Sequence, residues 1–456
     1  MSANGKELIF FGTDGIRGNA KTLLNNQLVR KVGFWCGQVL PEKGPVLIGA
    51  DSRLSSNRIS SELAAGLSSA GREVWLIGLC PTPAIPFLVR KHNLSGGLMI
   101  SASHNPPQDN GIKIFDFNGE KICVEKQSII DQGINKKDQV IDCKTKLSYK
   151  ICHDLLEEYI NSLLQTINSD CLKDTPIVLD LCWGSATSCG EKIFKSLGAK
   201  VTSINSDPNG NRINVNCGST NLEHIKKAVI ETNSEMGFAF DGDADRVIAI
   251  DSKGRIIDGD HMLFLWGSYL ESTQMLQEKH LVATVMSNLG FEKAWRKKGG
   301  KLSRTSVGDK YVYEEMVRSK ANLGGEQSGH ILSTINGLRG DGIFTALQLS
   351  NICHKKGINF FEWLNESFKP YPQRLINIPI ANNITNERLE ASEAFQNSIE
   401  KAKSQLQGDG RILIRKSGTE PLLRIMVESI DYLLLNSIIN NLEKIALKEF
   451  ALSSTK

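Results

Sequence analysis

The sequence predicts an α/β protein, with three similar α/β domains at residues 1–150, 151–256 and 257–368 and a C-terminal α+β domain at 369–456. Three observations carry this. Short apolar runs rich in Val, Ile and Leu alternate with segments of helical period, the signature of parallel-sheet architectures. The alternation appears three times, at a spacing of roughly one hundred residues, the size of one domain. After Pro370 and Pro372 the texture changes, and strands and helices no longer alternate singly.

The first domain reads as a helix at 23–40, strand at 45–50, helix at 57–70 and strand at 73–79. That is a β-α-β unit with Asp51-Ser52-Arg53 at the carboxyl end of its first strand. A short helix opens near Pro86, where proline is tolerated in the first turn, and leads to strands at 97–100 and 112–115. The lysine-rich stretch 136–150 reads as a solvated connector. The second domain reads as a helix at 153–167, then strand 176–181, helix 188–197, strand 200–204, helix 222–233 and strand 236–240. In the third, a helix at 261–270 precedes strand 281–286 and helix 291–298. Val307-Gly308-Asp309-Lys310 then opens a helix at 311–319. The last domain reads as strand 374–379, helix 387–405, strands 411–415 and 422–428, and helix 432–450.

Composition excludes several classes. A net charge of +4 over 456 residues argues against an electrostatic nucleic-acid or membrane partner. No apolar run approaches the ~18 residues of a membrane-spanning helix. Residues 1–6 lack the layout of a secretory leader, and the apolar block 8–11 is too short for one. The ten cysteines include no Cys-x-x-Cys pair, so they read as reduced structural thiols of a cytoplasmic protein.

Five stretches carry chemistry. Phe10-Phe11-Gly12-Thr13-Asp14-Gly15-Ile16-Arg17-Gly18 makes a glycine-rich loop whose amides and Arg17 can face an anion, or else a plain surface turn. After the apolar run 97–100 comes Ser101-Ala102-Ser103-His104-Asn105-Pro106-Pro107, with Lys113 ten positions beyond Ser103. Open α/β sheets place their chemistry at such strand ends. A serine hydroxyl needs a base or a metal to become a nucleophile, and His104 and Lys113 are at hand; a Ser/Asn/Pro turn is the plainer alternative.

Asp241-Gly242-Asp243-Ala244-Asp245-Arg246 sets three carboxylates at alternating positions after a buried strand. Like charges so close repel, and a hard divalent cation such as Mg²⁺ or Ca²⁺ resolves the repulsion. An EF-hand is excluded, because its glycine and glutamate positions hold Arg246 and Ser252. Gly324-Gly325-Glu326-Gln327-Ser328-Gly329-His330 presents acceptors suited to vicinal hydroxyls, or is a polar turn. Arg415-Lys416-Ser417-Gly418-Thr419-Glu420-Pro421 offers two cations, hydroxyls and a glycine, which suits a phosphate cradle as well as a hairpin connection.

With these five segments in this order, the chain resembles the α-D-phosphohexomutase family over essentially its whole length. The resemblance implies four domains with mixed sheets around a central cleft. It implies that Ser103, directly before His104-Asn105-Pro106, is the phosphoserine nucleophile, rather than Ser101. It implies one Mg²⁺ per active site, held by Asp241, Asp243 and Asp245 with the phosphate on Ser103. Lys113 and His330 match positions of proton transfer, and Arg17, His104 and Arg246 line the phosphoserine region. Glu326 and Ser328 fall where the family grips sugar hydroxyls; Arg415, Ser417, Gly418 and Thr419 fall where it holds the unreactive phosphate.

The implied reaction is isomerisation of a phosphosugar through a 1,6-bisphosphate that turns over between two half-reactions. Gln327, Lys416 and Val307-Gly308-Asp309-Lys310-Tyr311 resemble the glucosamine branch, with glucosamine 1,6-bisphosphate as intermediate and activator. Asp309 then places a carboxylate near the sugar, which favours an ammonium at C2. The phosphomannomutase/phosphoglucomutase branch is the alternative within the family. A sugar-phosphate binding protein without catalysis and a sugar-phosphate hydrolase are the alternatives outside it. The expected partner is a small phosphosugar, without nucleic acid or membrane, for a cytoplasmic monomer or homodimer.

Overall fold

The computed structural model describes residues 11–12, 14–136, 141, 149–335, 340–381, 384–417 and 421–450. The chain divides into two compact units, Met1–Thr284 with Thr305–Ser367, and Val285–Arg304 with Phe368–Lys456. The segment Val285–Arg304 thus groups with the C-terminal part, away from the rest of the third sequence-defined domain.

The first unit repeats one construction three times. In its six-stranded sheet, Val46–Ala50 runs parallel to Gly96–Ile100, which pairs antiparallel with Asp109–Phe115. In the next sheet, Pro176–Asp180 runs parallel to Met236–Phe240, which pairs antiparallel with Val247–Asp251. In the third, His280–Thr284 runs parallel to Leu323–Gly325, which pairs antiparallel with Ile331–Ser333. Each time, the loop between the last two strands is one of the chemical stretches. The middle strand of each trio, Gly96–Ile100, Met236–Phe240 and Leu323–Gly325, is buried along its whole length, as the continuous apolar runs require.

The helices obey their own period. Asn26–Val39 is capped by Asn25, whose side chain accepts the Leu28 amide, and buries Leu28, Val29, Val32 and Cys36 on one face. Tyr149–Ile151, at the end of the expected connector, instead adds an edge strand parallel to Val74–Leu79; residues 137–140 and 142–148 of that connector lie outside the described residues. Val247–Asp251 and the helix Gly342–Lys356 are absent from the sequence reading. That helix is buried over most of its circumference, which erases the polar face a period search relies on.

The second unit is α+β. Its antiparallel sheet runs Gln373–Pro379, Leu422–Ser429, Gly410–Lys416 in spatial order. Helices Glu393–Leu406 and Tyr432–Phe450 share its core, with Phe395, Leu423, Ile425, Leu442 and Phe450 fully buried. The single helix expected at 387–405 is two, Asn386–Glu390 and Glu393–Leu406. Ser392 breaks it by turning its side chain to the Phe395 amide as a cap. Arg411 ties the sheet to the Val285–Arg304 segment, donating to the carbonyls of Val285 at 2.8 Å and Ser287 at 2.6 Å.

Candidate active site

The loop from Ser101 to Asp109 is held from behind by buried polar groups. Ser103 is fully buried and has φ +51°, in the left-handed region that a β-carbon disfavours. Its amide donates to Ser101 Oγ at 2.8 Å, and Ser101 Oγ donates in turn to Asp51 Oδ2 at 2.7 Å. Arg53, with no exposed side-chain surface, pairs with Asp51 at 2.9 Å. Its guanidinium also donates to four carbonyls of the loop: Ser103 at 3.0 Å, Asn105 at 2.7 Å, Pro106 at 2.5 Å and Asp109 at 2.8 Å. Asn214 adds donations to Ser103 at 2.8 Å and Asn105 at 3.0 Å. With its carbonyl gripped from behind, Ser103 turns its hydroxyl to the carboxylates.

Ser103 Oγ donates to Asp241 Oδ2 at 2.7 Å and lies 3.4 Å from His104 Nδ1. Ligand atoms of Asp241, Asp243 and Asp245 all lie within 4.8 Å of one another, on buried side chains. Gly242 is required between them, since a β-carbon there would stand 2.7 Å from the Ser103 carbonyl oxygen. Asp243 Oδ1 and Asp245 Oδ1 are buried without a hydrogen-bond partner among the described residues. Buried carboxylate oxygens left this way are costly, and three hard oxygen donors converging here fit a divalent cation. Burial, then Asp245 and Asp243, push the Asp241 carboxyl well above its ordinary range.

Lys113 counters part of this charge, with Nζ 2.8 Å from both Asp243 Oδ2 and Asp245 Oδ2 and 3.3 Å from Asp14 Oδ2. Burial alone would lower it, but Asp14, Asp243 and Asp245 outweigh burial and hold it as an ammonium. Burial would likewise raise Asp14, but Lys113, Lys121 and Arg17 keep its carboxyl well below the usual range. Arg17 pairs with Asp14 and reaches toward the Ala102 carbonyl at 3.5 Å. Arg246 lies 3.8 Å from Asp245, and His330 Nδ1 lies 4.0 Å from Asp245 Oδ1.

The loop from Glu326 to His330 sits beside this cluster. Glu326 Oε1 accepts the Gly308 amide at 2.9 Å, while Ser328 is exposed. Gly329, at φ +89°, lets the loop lie against the strand Val247–Asp251, where a β-carbon would come 2.0 Å from the Val247 carbonyl oxygen. A cavity of about 400 Å³ is lined by Asp14, Lys113, Lys121, Asp245, Asp309 and His330. Asp309 is paired, since Lys121 Nζ reaches both its oxygens, at 2.7 and 2.8 Å.

In the second unit, Arg415 and Arg424 are direct cross-strand partners. Burial first, and then the Arg424 charge, lower Arg415 from its ordinary value. Facing cations repel, and an anion between them removes the repulsion. The Ser417 amide donates to the Leu422 carbonyl at 2.8 Å; Gly418 and Thr419 lie outside the described residues.

Contacts in the first unit therefore join Ser103, His104, Lys113, the three aspartates, Arg17, Arg246 and His330, with Glu326 reached through Gly308. Sequence reasoning misses Asp14, Arg53, Lys121 and Asn214. Asp14 and Arg53 lie in stretches it singles out; Lys121 and Asn214 carry no local signal.

A serine aimed at a trio of aspartates, on this thrice-repeated α/β construction, defines a phosphoryl-transferring mutase, and the comparisons agree. The chain matches the alpha/beta/alpha domains of the phosphoglucomutase/phosphomannomutase family, domain I over residues 8–141, domain II over 157–254 and domain III over 258–371. The family's C-terminal domain matches residues 375–444, and the chain belongs to this α-D-phosphohexomutase family. Among its relatives, phosphoglucosamine mutase of Prochlorococcus marinus strain SARG is 62% identical over 443 residues, covering 97% of this chain and 96% of the relative. Phosphoglucosamine mutase of Synechococcus sp. strain WH7803 is 52% identical over 426 residues, covering 93% and 92%.

Solved structures share the fold. A phosphoglucomutase/phosphomannomutase family protein from Burkholderia thailandensis superposes with a TM-score of 0.79 at 22% identity, covering 97% of this chain and 98% of that one. Aspergillus fumigatus N-acetylphosphoglucosamine mutase, in complex with GlcNAc-6P and magnesium, gives 0.65 at 18% identity, covering 96% of each. The chain is an intramolecular phosphotransferase of the isomerase class.

Proposed function

We propose that this enzyme interconverts glucosamine 6-phosphate and glucosamine 1-phosphate, supplying amino-sugar nucleotide synthesis. The observation that carries the reading is the Ser103 hydroxyl, 2.7 Å from Asp241 within the aspartate trio. The identity of the relatives over nearly the whole chain supports the choice of sugar.

In this reading Ser103 carries the phosphoryl group. The group passes to the free hydroxyl of the substrate, whose proton leaves to Lys113 or His330, and Ser103 Oγ is released. Glucosamine 1,6-bisphosphate turns over, and its other phosphoryl group returns to Ser103. Asp241, Asp243 and Asp245 would hold Mg²⁺ with the phosphoserine, and the ion supplies neutralisation of charge on the transferring group. Arg17 and Arg246 add cationic charge beside it. Glu326 and Ser328 orient the sugar hydroxyls, and Arg415, Ser417, Gly418 and Thr419 receive the distal phosphate. Lys113, held as an ammonium by three carboxylates, would accept a proton only after a cation sharing those carboxylates had let it release its own. The reading places the enzyme in the cytoplasm, as a monomer or homodimer acting on a small phosphosugar. No helix among the described residues is long and apolar enough to cross a membrane.

The test is parallel turnover of glucosamine 6-phosphate, glucose 6-phosphate and mannose 6-phosphate with Mg²⁺ and a trace of sugar bisphosphate. Preference for the first is expected. Equal or better turnover of the others assigns the enzyme to phosphomannomutase/phosphoglucomutase chemistry, and steady release of inorganic phosphate assigns it to hydrolysis. Ser103→Ala removes the phosphoryl mass from the intact protein.

A further inference from the structure

Lys121 belongs to none of the motifs, yet its side chain joins two of them. It closes the turn after the strand Asp109–Phe115, where it bridges back to Phe115. Its Nζ lies 2.6 Å from Asp14 Oδ1 and 2.7 Å from Asp309 Oδ2. On one side, Asp14 passes to Lys113 at 3.3 Å and through it to Asp243 and Asp245. On the other, Asp309 opens the helix Asp309–Ser319, and the preceding Gly308 amide holds Glu326. The adjoining Glu120 reinforces the link, accepting the Tyr313 hydroxyl of that same helix at 3.0 Å.

The charges explain why a single cation suffices. Asp14 and Asp309 are both carboxyl side chains lining the cavity, and a lysine between them makes a charge-assisted contact with each. The side chain keeps 24% of its surface exposed, so its removal opens no cavity in a core.

We propose that Lys121 is a positioning residue for phosphoryl transfer, fixing the helix that begins at Asp309, and with it Glu326, relative to Lys113 and the aspartate loop. The proposal rests on the mutase reading above. It goes beyond that reading in assigning substrate alignment to a group outside the five motifs.

The experiment compares Lys121→Met, Lys121→Arg, Asp309→Asn and the Lys121→Met/Asp309→Asn double variant with wild type. Readouts are KM and kcat for glucosamine 6-phosphate, Mg²⁺ affinity by calorimetry, and hydrogen exchange at residues 308–312. Lys121→Met is expected to raise KM about tenfold, as loss of a part-buried charged contact does, with Mg²⁺ affinity unchanged and exchange at 308–312 faster. Lys121→Arg restores most of the loss, and the double variant is no worse than Lys121→Met alone. The proposal is overturned if Lys121→Met stays within about twofold of wild type in KM and exchange, if its effect multiplies with that of Asp309→Asn, or if arginine fails to rescue. Should wild type turn over no phosphosugar, the mutase reading falls by itself, and the exchange rates alone decide whether Lys121 holds the helix.

Discussion

Replacing Arg53 by Met tests how Ser103, the proposed nucleophile, is held. The change removes the partner of Asp51 and the donor to the carbonyls of Ser103, Asn105, Pro106 and Asp109; the contacts to Asp51 and Ser103 are buried and the other three part-buried. Three of those carbonyls keep another donor: Asn214 for Ser103 and Asn105, and the Asp109 amide for Pro106. The Asp51 carboxyl, already raised by burial, keeps Ser101 and Ser56. The loss is therefore dominated by breaking one buried ion pair, about 3–5 kcal/mol. Set against a typical domain stability of about 5–15 kcal/mol, the variant folds but its loop loosens. Hydrogen exchange over residues 101–110, a thermal melt and kcat are the assays. Exchange in that segment should rise together with a fall in kcat, and Arg53→Lys should recover only part, since an ammonium cannot reproduce the fork. Wild-type exchange and kcat in Arg53→Met would refute the claim that Arg53 orders the nucleophile.

Other perturbations follow from the same geometry. Burial pushes the Asp341 carboxyl up to about 6, so the folded protein binds a proton there that the unfolded chain has released, and stability falls as pH rises from about 4 to 6. Asp341→Asn can still cap its helix through Oδ1 while its amide nitrogen donates to the Tyr159 hydroxyl, and should flatten the melting profile across that window by up to about 3 kcal/mol; an unchanged profile would exclude Asp341 as its source. Asp243→Asn or Asp245→Asn should weaken Mg²⁺ binding in calorimetry by at least about tenfold, the cost of losing even an outer partner of a metal site, and equal affinity would remove these residues from the cation site. Gly242→Ala should lower the melting temperature, because its β-carbon meets the Ser103 carbonyl oxygen; a variant as stable and active as wild type would show that the two loops need no such approach.

What the sequence makes legible is what lies contiguous along it. Asp241, Asp243 and Asp245 announce themselves by charge density, and Ser103 by its place at the end of an apolar run. Arg53 is visible as a residue at a strand end, but the loop carbonyls it holds lie fifty and more positions away, and only the sheet order brings them together. Lys121 and Asp309 are 188 residues apart, so nothing local marks the pair. The helix Gly342–Lys356 escapes because burial on nearly all sides leaves no polar period, and the helix at 387–405 is overdrawn because one serine chooses to cap rather than continue.

The left-handed backbone at Ser103 has a consequence for which hydroxyl residue can serve at the proposed nucleophile position. A threonine carries the same hydroxyl and would accept a phosphoryl group as readily in solution. At φ +51° its branched β-carbon would press against the neighbouring peptide, an outlier conformation costing on the order of 1–3 kcal/mol. The surroundings would have to supply that energy in every turnover state. Kinases and phosphatases that treat serine and threonine alike work on extended chains; here the main chain discriminates before any chemistry begins. Ser103→Thr is thus a steric question put to the backbone, in a place where the side chains would all consent.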